Sequence, residues 1–321
     1  MTDTHQRAGA VVSTAAPAFE FAIEEGKANE FARATGAAGL VRDGDTWLAP
    51  PTFLTVSQLW MAPEHAAWYG ITRNYGRVLH GEQRFDYPRG LPHVGDRFHA
   101  RQAFGRSFEK DGSQGRMHFQ EVVTRFWRED ETDPDAIMTS LSITLPPVPE
   151  DSDAAQPAES GQASEAGNAS ESGKASGPSR ASEPSDSATS APLDSHTTEP
   201  LTLTDFVRYQ GASGDFNPIH HDPEFARNGG YDGPFAVGML TAGVAAARFG
   251  QVRDPRRLRT LRMRWQQPAW PGDRLTYTVT EETEGLKCVV TRAPSERDHA
   301  GEARQDTNRE ANHMTAWGTY A

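Results

Sequence analysis

Cysteine is nearly absent from the 321-residue chain. The one thiol, Cys288, excludes an intrachain disulfide and any metal centre built from several thiolates. Positive charge is scarce too. Lys and Arg number 32 against 44 Asp and Glu, for a formal net charge of -12. A protein that grips a phosphate backbone needs a basic face, so no nucleic acid is expected as partner. No apolar run approaches the ~20 residues that span a membrane as a helix. The opening residues, MTDTHQRAGAVVSTAAPAFE, lack the basic start and sustained apolar core of a secretion signal. No set of His, Asp and Glu shows ligand spacing, so no metal is expected. A soluble, cytoplasmic protein is the expectation.

The length suits two domains of ordinary size. Residues 150–198 divide the chain. They are rich in Ala, Ser, Gly, Pro and Glu and contain no aromatic residue. Such a segment cannot bury enough apolar surface to offset the entropy of ordering it, so it reads as a disordered linker. The expected organisation is a domain over 15–149, the linker over 150–198 and a second domain over 199–321. A further polar stretch, 294–312, reads as a flexible loop between the last two strands.

Both flanks carry the same kind of pattern. In the first, residues 19–23 read as a short strand and 26–35 as a helix ended by Gly36. Residues 52–69 are apolar and irregular. Four segments, 78–87, 97–108, 117–127 and 137–145, then alternate with period two, which marks strands with one buried face. In 97–108, Phe98, Ala100, Phe104 and Phe108 share a face. In the second flank, 204–210 reads as a short helix with Thr204 as N-cap. Residues 238–249, GMLTAGVAAARF, are apolar or small nearly all round, so this helix must be enclosed. Leu261, Met263 and Trp265 alternate with Arg262 and Arg264, and Leu275, Tyr277 and Val279 alternate with threonines. Residues 287–292 and 314–320 supply the remaining strands. A helix followed by an antiparallel sheet, twice over, implies two related α+β units.

The segment most loaded with chemistry is YQGASGDFNPIHHDPEFARNGGYDGPFAVGM, residues 209–239. Its turn is built from Gly214, Asp215, Phe216, Asn217 and Pro218, and proline holds the residue before it extended. Asp215 and His220, five residues apart across that turn, can converge on one water and act as a general acid–base pair. Gly238 opens the enclosed helix. A helix N-terminus offers unpaired N–H groups and a positive dipole end, and glycine admits a close approach by a carbonyl oxygen.

The motif S-G-D-x-N-P-I-H followed by G-x-x-x-x-G-P-x-x-x-G-M closely resembles the MaoC-like, hydratase-2 family of (R)-specific enoyl-thioester hydratases and 3-hydroxyacyl-thioester dehydratases. The resemblance runs from about residue 201 to 320. It implies a hotdog fold, a helix wrapped by an antiparallel sheet. It also implies that Asp215 and His220 are the catalytic pair, that the Gly238 N–H binds the thioester oxygen, and that Ser213 and Asn217 shape the loop. Many relatives carry His immediately before that glycine; here Val237 stands there, which leaves the backbone donor in place. In the first flank FAIEEGKANEFARATG, PPTFL, VLHGEQRFDY and HVGDRF resemble the first hotdog of two-hotdog dehydratases, including heterodimers of the mycobacterial type. The implied fold class is α+β, a double hotdog of two antiparallel sheets, each wrapping a helix, packed as a pseudo-dimer within one chain. The first hotdog has no Asp-x-Asn-Pro-x-x-His segment, so it is expected to be catalytically silent and to bind the acyl chain.

The implied activity is hydration of trans-2-enoyl thioesters, or the reverse dehydration of (R)-3-hydroxyacyl thioesters, on coenzyme A or acyl carrier protein. No cofactor is needed, and a homodimer of such chains is a further expectation. Three other readings stay open: a catabolic hydratase for bulky or branched acyl groups, a non-catalytic thioester-binding protein, and a thioesterase. Taken singly, several residues read as structural. His221 would point elsewhere, Asp222 before Pro223 reads as an N-cap, and His65 and His80 read as structural. Cys288 reads as core, and Arg262 and Arg264 as a solvated strand face or a contact for a phosphate.

Overall fold

The computed structural model describes residues 15–112, 115–129, 132–146, 191–293 and 311–321. The expected linker therefore lies outside the described residues from 150 to 190, as does the expected loop from 294 to 310.

The first flank supplies β1 (Phe19–Ala22), β4 (Val78–Asp86), β5 (Arg97–Gly112), β6 (Gly115–Trp127) and β7 (Ala136–Thr144). A small separate hairpin, β2 (Val41–Asp43) with β3 (Thr46–Leu48), is too short to show a period and was not expected. The second flank supplies β8 (Asp194–Thr197), β9 (Leu258–Trp265), β10 (Arg274–Glu282), β11 (Gly285–Ala293) and β12 (Ala311–Tyr320). β8 corrects the linker boundary, because it lies inside 150–198. Its sequence, Asp-Ser-His-Thr, is polar throughout and shows no alternation of apolar residues. It is fixed by pairing with the edge of β10 and by the Asp194 carboxylate, which accepts from Arg248 Nε at 2.6 Å.

These strands form one ten-stranded sheet in the order β1-β5-β6-β7-β4-β9-β12-β11-β10-β8. The order of the first five is mirrored by the second five, so the halves are related by a pseudo-two-fold axis through the β4–β9 pair. The two expected sheets are thus continuous rather than merely packed. Across the seam Glu82 faces Arg264, Gln83 faces Met263 and Phe85 faces Leu261. On the outer face Arg262 Nε donates to Glu82 at 2.8 Å, so Arg262 braces the seam.

The helices repeat the symmetry. α1 (Glu25–Ala34) matches α2 (Leu203–Ser213). α2 begins earlier than expected: Thr202, not Thr204, caps it, in a reciprocal box with Asp205. α3 (Pro223–Asn228) is short, and Asp222 caps it by accepting the N–H groups of Glu224 and Phe225. α4 (Gly238–Val252) is the enclosed helix, with Met239, Leu240, Thr241, Ala242, Gly243, Ala245, Ala246 and Phe249 buried. Its counterpart in the first half is the 3-10 segment Phe53–Leu59, buried from Phe53 to Ser57. That half therefore has strands like those of its mate but a much shorter central helix.

The halves share one continuous apolar core, with Phe21, Phe31, Phe53 and Phe85 from the first and Tyr209, Phe249, Leu261 and Met263 from the second. α4 approaches the first half so closely that a Cβ on Gly243 would lie 2.3 Å from Thr35 Cγ2. Thr35 is itself buried and anchored, its hydroxyl donating to Phe31 O at 3.0 Å. Gly243→Val should therefore lower stability by about 1–3 kcal/mol, the usual cost of overpacking a filled core. Urea unfolding followed by circular dichroism measures it, and an unchanged midpoint would disprove the close contact.

Candidate active site

α2 ends at Gly214, whose φ of 79° is left-handed. The position is doubly restricted, since a Cβ there would also meet Leu59 Cδ2 at 2.4 Å. The loop beyond is held by its own side chains. The Asp215 N–H donates to Ser213 Oγ, the Asn217 N–H to Asp215 Oδ1 and the Ile219 N–H to Asn217 Oδ1, each at 3.2 Å. Gln210 Nε2 donates to Asn217 O at 3.1 Å and ties the loop back to α2. Ser213 and Asn217 thus sit where loop-shaping residues would. A single 3-10 turn, Pro218–His220, then swings the histidine inward.

His220 is buried. Its Nδ1 lies 2.8 Å from Phe235 O, and its ring meets the Phe235 ring edge-on at 5.2 Å. A carbonyl only accepts, so Nδ1 carries the proton and Nε2 is left with a lone pair. Burial lowers the pKa of His220 from its ordinary 6.5, while the charge of Asp215 acts in the opposite direction. The structure brings Asp215 and His220 together in this sense: a half-buried carboxylate stands within electrostatic reach of a buried imidazole whose free nitrogen is a base.

Gly238 is the first residue of α4, and no side chain caps that helix at Val237. A Cβ on Gly238 would sit 3.0 Å from the Trp265 ring. Trp265 Nε1 donates to Gly238 O at 3.1 Å. Beneath it, Thr241 Oγ1 lies 2.8 Å from Gly238 O and 2.9 Å from His313 Nε2, while His313 Nδ1 donates to Gln267 O at 2.6 Å. Burial pushes His313 down to about 4, which keeps it neutral. Trp265, Thr241 and His313 fix the first turn of α4. Sequence reasoning missed the last two because they lie 72 residues apart.

A third histidine, read from sequence as structural, stands beside the site. His80 comes from β4, in the other half, and its ring lies 4.6 Å from that of Trp265. Burial pushes it down to about 4, with a small further lowering from His220 and opposed chiefly by the charge of Asp215. The other candidates stand apart from the reacting centre. His221 meets Gln210 Oε1 at 2.9 Å, His65 meets Pro17 O at 3.0 Å, and burial raises Cys288 to about 12, where a thiolate is inaccessible.

One cavity, of about 370 Å³, touches none of Asp215, His220 or Gly238. It lies against Gly243, Ala247 and Gly250 of α4, Leu40 after α1 and Pro51 and Thr52 before the 3-10 segment. Those segments correspond, about the pseudo-two-fold axis, to the loop after α2 and the start of α4. The cavity is the mirror image of the candidate site, with no acid or imidazole among its lining residues.

Residues 185–296 match the family model described as MaoC like domain, and residues 10–133 match that described as FAS1-like, dehydratase domain region. Over 88 residues the chain is 35% identical to the probable enoyl-CoA hydratase 2 of Dictyostelium discoideum, covering 26% of this chain and 28% of that protein. The chain thus spans well under a third of that relative's length. A MaoC-like dehydratase from Phytophthora capsici is 19% identical with a TM-score of 0.61, covering 97% of this chain and 96% of that one. A Mycobacterium tuberculosis protein described as having a double hotdog fold is 13% identical with a TM-score of 0.54, covering 96% of each chain. The fold is the α+β double hotdog.

Three histidines, the buried His220 and His313 and the half-buried His80, have pKa values lowered from 6.5. Unfolding restores the ordinary value, so below it the unfolded chain binds more protons than the folded one. Their contribution is fully retained above pH 6.5 and erodes as pH falls from 6.5 towards 4. Urea midpoints at pH 7.5, 6 and 5 should decline in that order. His313→Gln should flatten the decline, and a slope equal to that of the unmodified protein would show that His313 is not buried neutral.

Proposed function

We propose that this chain, whose residues 185–296 match the MaoC like domain model and residues 10–133 the FAS1-like dehydratase region model, reversibly adds water to a trans-2-enoyl thioester, forming an (R)-3-hydroxyacyl thioester on coenzyme A or acyl carrier protein. The observation that carries this reading is the proton arrangement of His220. A carbonyl acceptor, Phe235 O, fixes its proton on Nδ1. Nε2 is then a base in a buried pocket, with the Asp215 carboxylate beside it.

In the hydration direction Asp215 and His220 share one water. His220 Nε2 takes a proton as the oxygen attacks C3, and the Asp215 charge stabilises the imidazolium that forms. The electron pair of the C2–C3 double bond moves toward the carbonyl, and the thioester oxygen becomes an enolate. The Gly238 N–H, at the positive end of α4, holds that oxygen. The enolate collapses, C2 takes a proton from the catalytic pair, and the C3 hydroxyl is complete. The thioester supplies the acidity at C2 and the electrophilicity at C3, so the reaction requires no cofactor. Ser213 and Asn217 act by holding Asp215 in the loop.

The first half has neither group of the pair and serves as partner surface and acyl-binding half. Its central helix is the 3-10 segment Phe53–Leu59 rather than a full helix. That short element favours a second reading within the same chemistry, in which the substrate carries a bulky or branched acyl group. Comparing kcat/KM for crotonyl, long-chain and branched enoyl-CoA substrates distinguishes the two.

Asp215→Asn and His220→Ala should each lower turnover of crotonyl-CoA by at least ~100-fold, the usual scale of lost general acid–base catalysis. Circular dichroism should show both variants folded. Near-normal hydration by either would sink the assignment. Release of free coenzyme A in place of the 3-hydroxyacyl product would identify a thioesterase instead.

A further inference from the structure

β4 is regular from Glu82 to Asp86, but its register against β7 slips between His80 and Glu82. Gly81 is the extra residue. A Cβ there would come within 2.7 Å of Ile143 Cδ1, so the bulge has room only for glycine unless Ile143 moves. A bulge interrupts the alternation of side chains along a strand. Glu82 lies on the outer face, where it accepts from Arg262. In a regular strand His80, two residues earlier, would share that face. Instead its ring packs on Trp265, whose own ring is turned toward Gly238 and whose Nε1 donates to Gly238 O. The bulge has brought an imidazole from the first half to the N-terminus of α4.

His80 is also unsatisfied. Its Nε2 is shielded from solvent and has no hydrogen-bond partner. Buried polar atoms nearly always have one, so an exception calls for a reason. Gln83 and the Glu82 carbonyl lie close enough to favour protonation of His80, but neither meets Nε2 in hydrogen-bonding geometry. Gln83 is engaged at both ends: its Oε1 accepts from Ser140 at 2.7 Å, and its Nε2 donates to Arg84 O at 3.3 Å. Packing on Trp265 alone would be served by a phenyl ring with no desolvation cost. Asp215 and His220 are both near enough for their charges to act on His80.

One backbone N–H is a sparse oxyanion site, because a developing enolate oxygen has lone pairs for more than one donor. A neutral imidazole can fill that role, polarising a carbonyl without surrendering its proton. We propose that His80 is a second oxygen-binding residue of the site: its imidazole N–H, supplied by the first half, hydrogen-bonds the thioester oxygen alongside the Gly238 N–H. The inference rests on the hydration reading. It makes the catalytic centre a composite of both halves, although only the second carries the acid–base pair.

His80→Phe retains a ring against Trp265 and removes both nitrogens, while His80→Gln retains a donor. His80→Phe should lower kcat for crotonyl-CoA by ~100-fold, the scale of losing one oxyanion donor, with KM changed less than ~3-fold. His80→Gln should recover at least ~10-fold of that loss, and the pH optimum should stay where Asp215 and His220 set it. A readout independent of turnover is the infrared carbonyl stretch of bound butyryl-CoA, which cannot be hydrated. It should shift to lower frequency in the unmodified protein, and the shift should shrink in His80→Phe. Turnover by His80→Phe within ~3-fold of the unmodified enzyme, with an unchanged stretch, would overturn the proposal, because loss of an oxyanion donor cannot be that small. If the unmodified protein hydrates no enoyl thioester, the hydration reading fails, and the butyryl-CoA stretch still decides whether His80 holds the carbonyl.

Discussion

The antiparallel pairing of β4 with β9 is the contact on which the other arrangements rest. Pairing in this register, Gln83 opposite Met263 and Phe85 opposite Leu261, makes two five-stranded sheets into one surface. Both central helical elements then lie over the same surface and must share the space above it. α4 fits because it presents Gly243 to Thr35, and the 3-10 segment fits because Leu59 meets Gly214. The second contact falls at the residue that ends α2 and starts the Asp215 loop. The seam thereby reaches the candidate site from both sides: through Leu59 against the loop, and through His80 against Trp265. The apolar core is continuous across the seam, so neither half has a separate interior to fall back on.

Within this frame the electrostatics follow from enclosure. Imidazoles buried among Phe, Trp and backbone carbonyls lose their charged form, and each of the three near α4 has its proton affinity lowered. Their roles diverge through their partners. His313 is held at both nitrogens, by Gln267 O and Thr241, and can only brace. His220 is held at one and keeps a lone pair. His80 has a nitrogen with no partner at all. A carboxylate in the loop supplies the countercharge that a protonated imidazole would need. What separates these chemically identical side chains is their hydrogen bonding rather than their depth.

What could be read from residue order is what is local. The strands of both halves show as alternation, because Leu261, Met263 and Trp265 must face inward while Arg262 and Arg264 face out. The enclosed helix shows as an absence of polar residues. The loop is legible because Ser213, Asp215, Asn217 and His220 lie within eight positions and bond to one another's backbone. β8 escaped notice because an edge strand with one partner needs no apolar face, and its Asp194 finds its cation 54 residues away. His313 and Thr241 are far apart in the chain, and nothing around either signals the other. His80, read from sequence as structural, takes a position that residue order does not show. Its turn to the face opposite Glu82 depends on the bulge at Gly81 and on Ile143 and Trp265, which only the sheet brings near.

The pseudo-two-fold axis has a consequence for how such a chain can vary. In an assembly of two identical chains each substitution is made twice, once beside each site, and a residue suited to one place must be tolerated at its mirror image. Here each position exists once. Leu59 can press on Gly214 without a second leucine at the mirrored place, and Ala, Leu and Val can replace acid and imidazole around the mirror cavity while Asp215 and His220 stay untouched. The chain has twofold architecture without twofold obligation, and inheritance can act on the first half and the second half as separate traits.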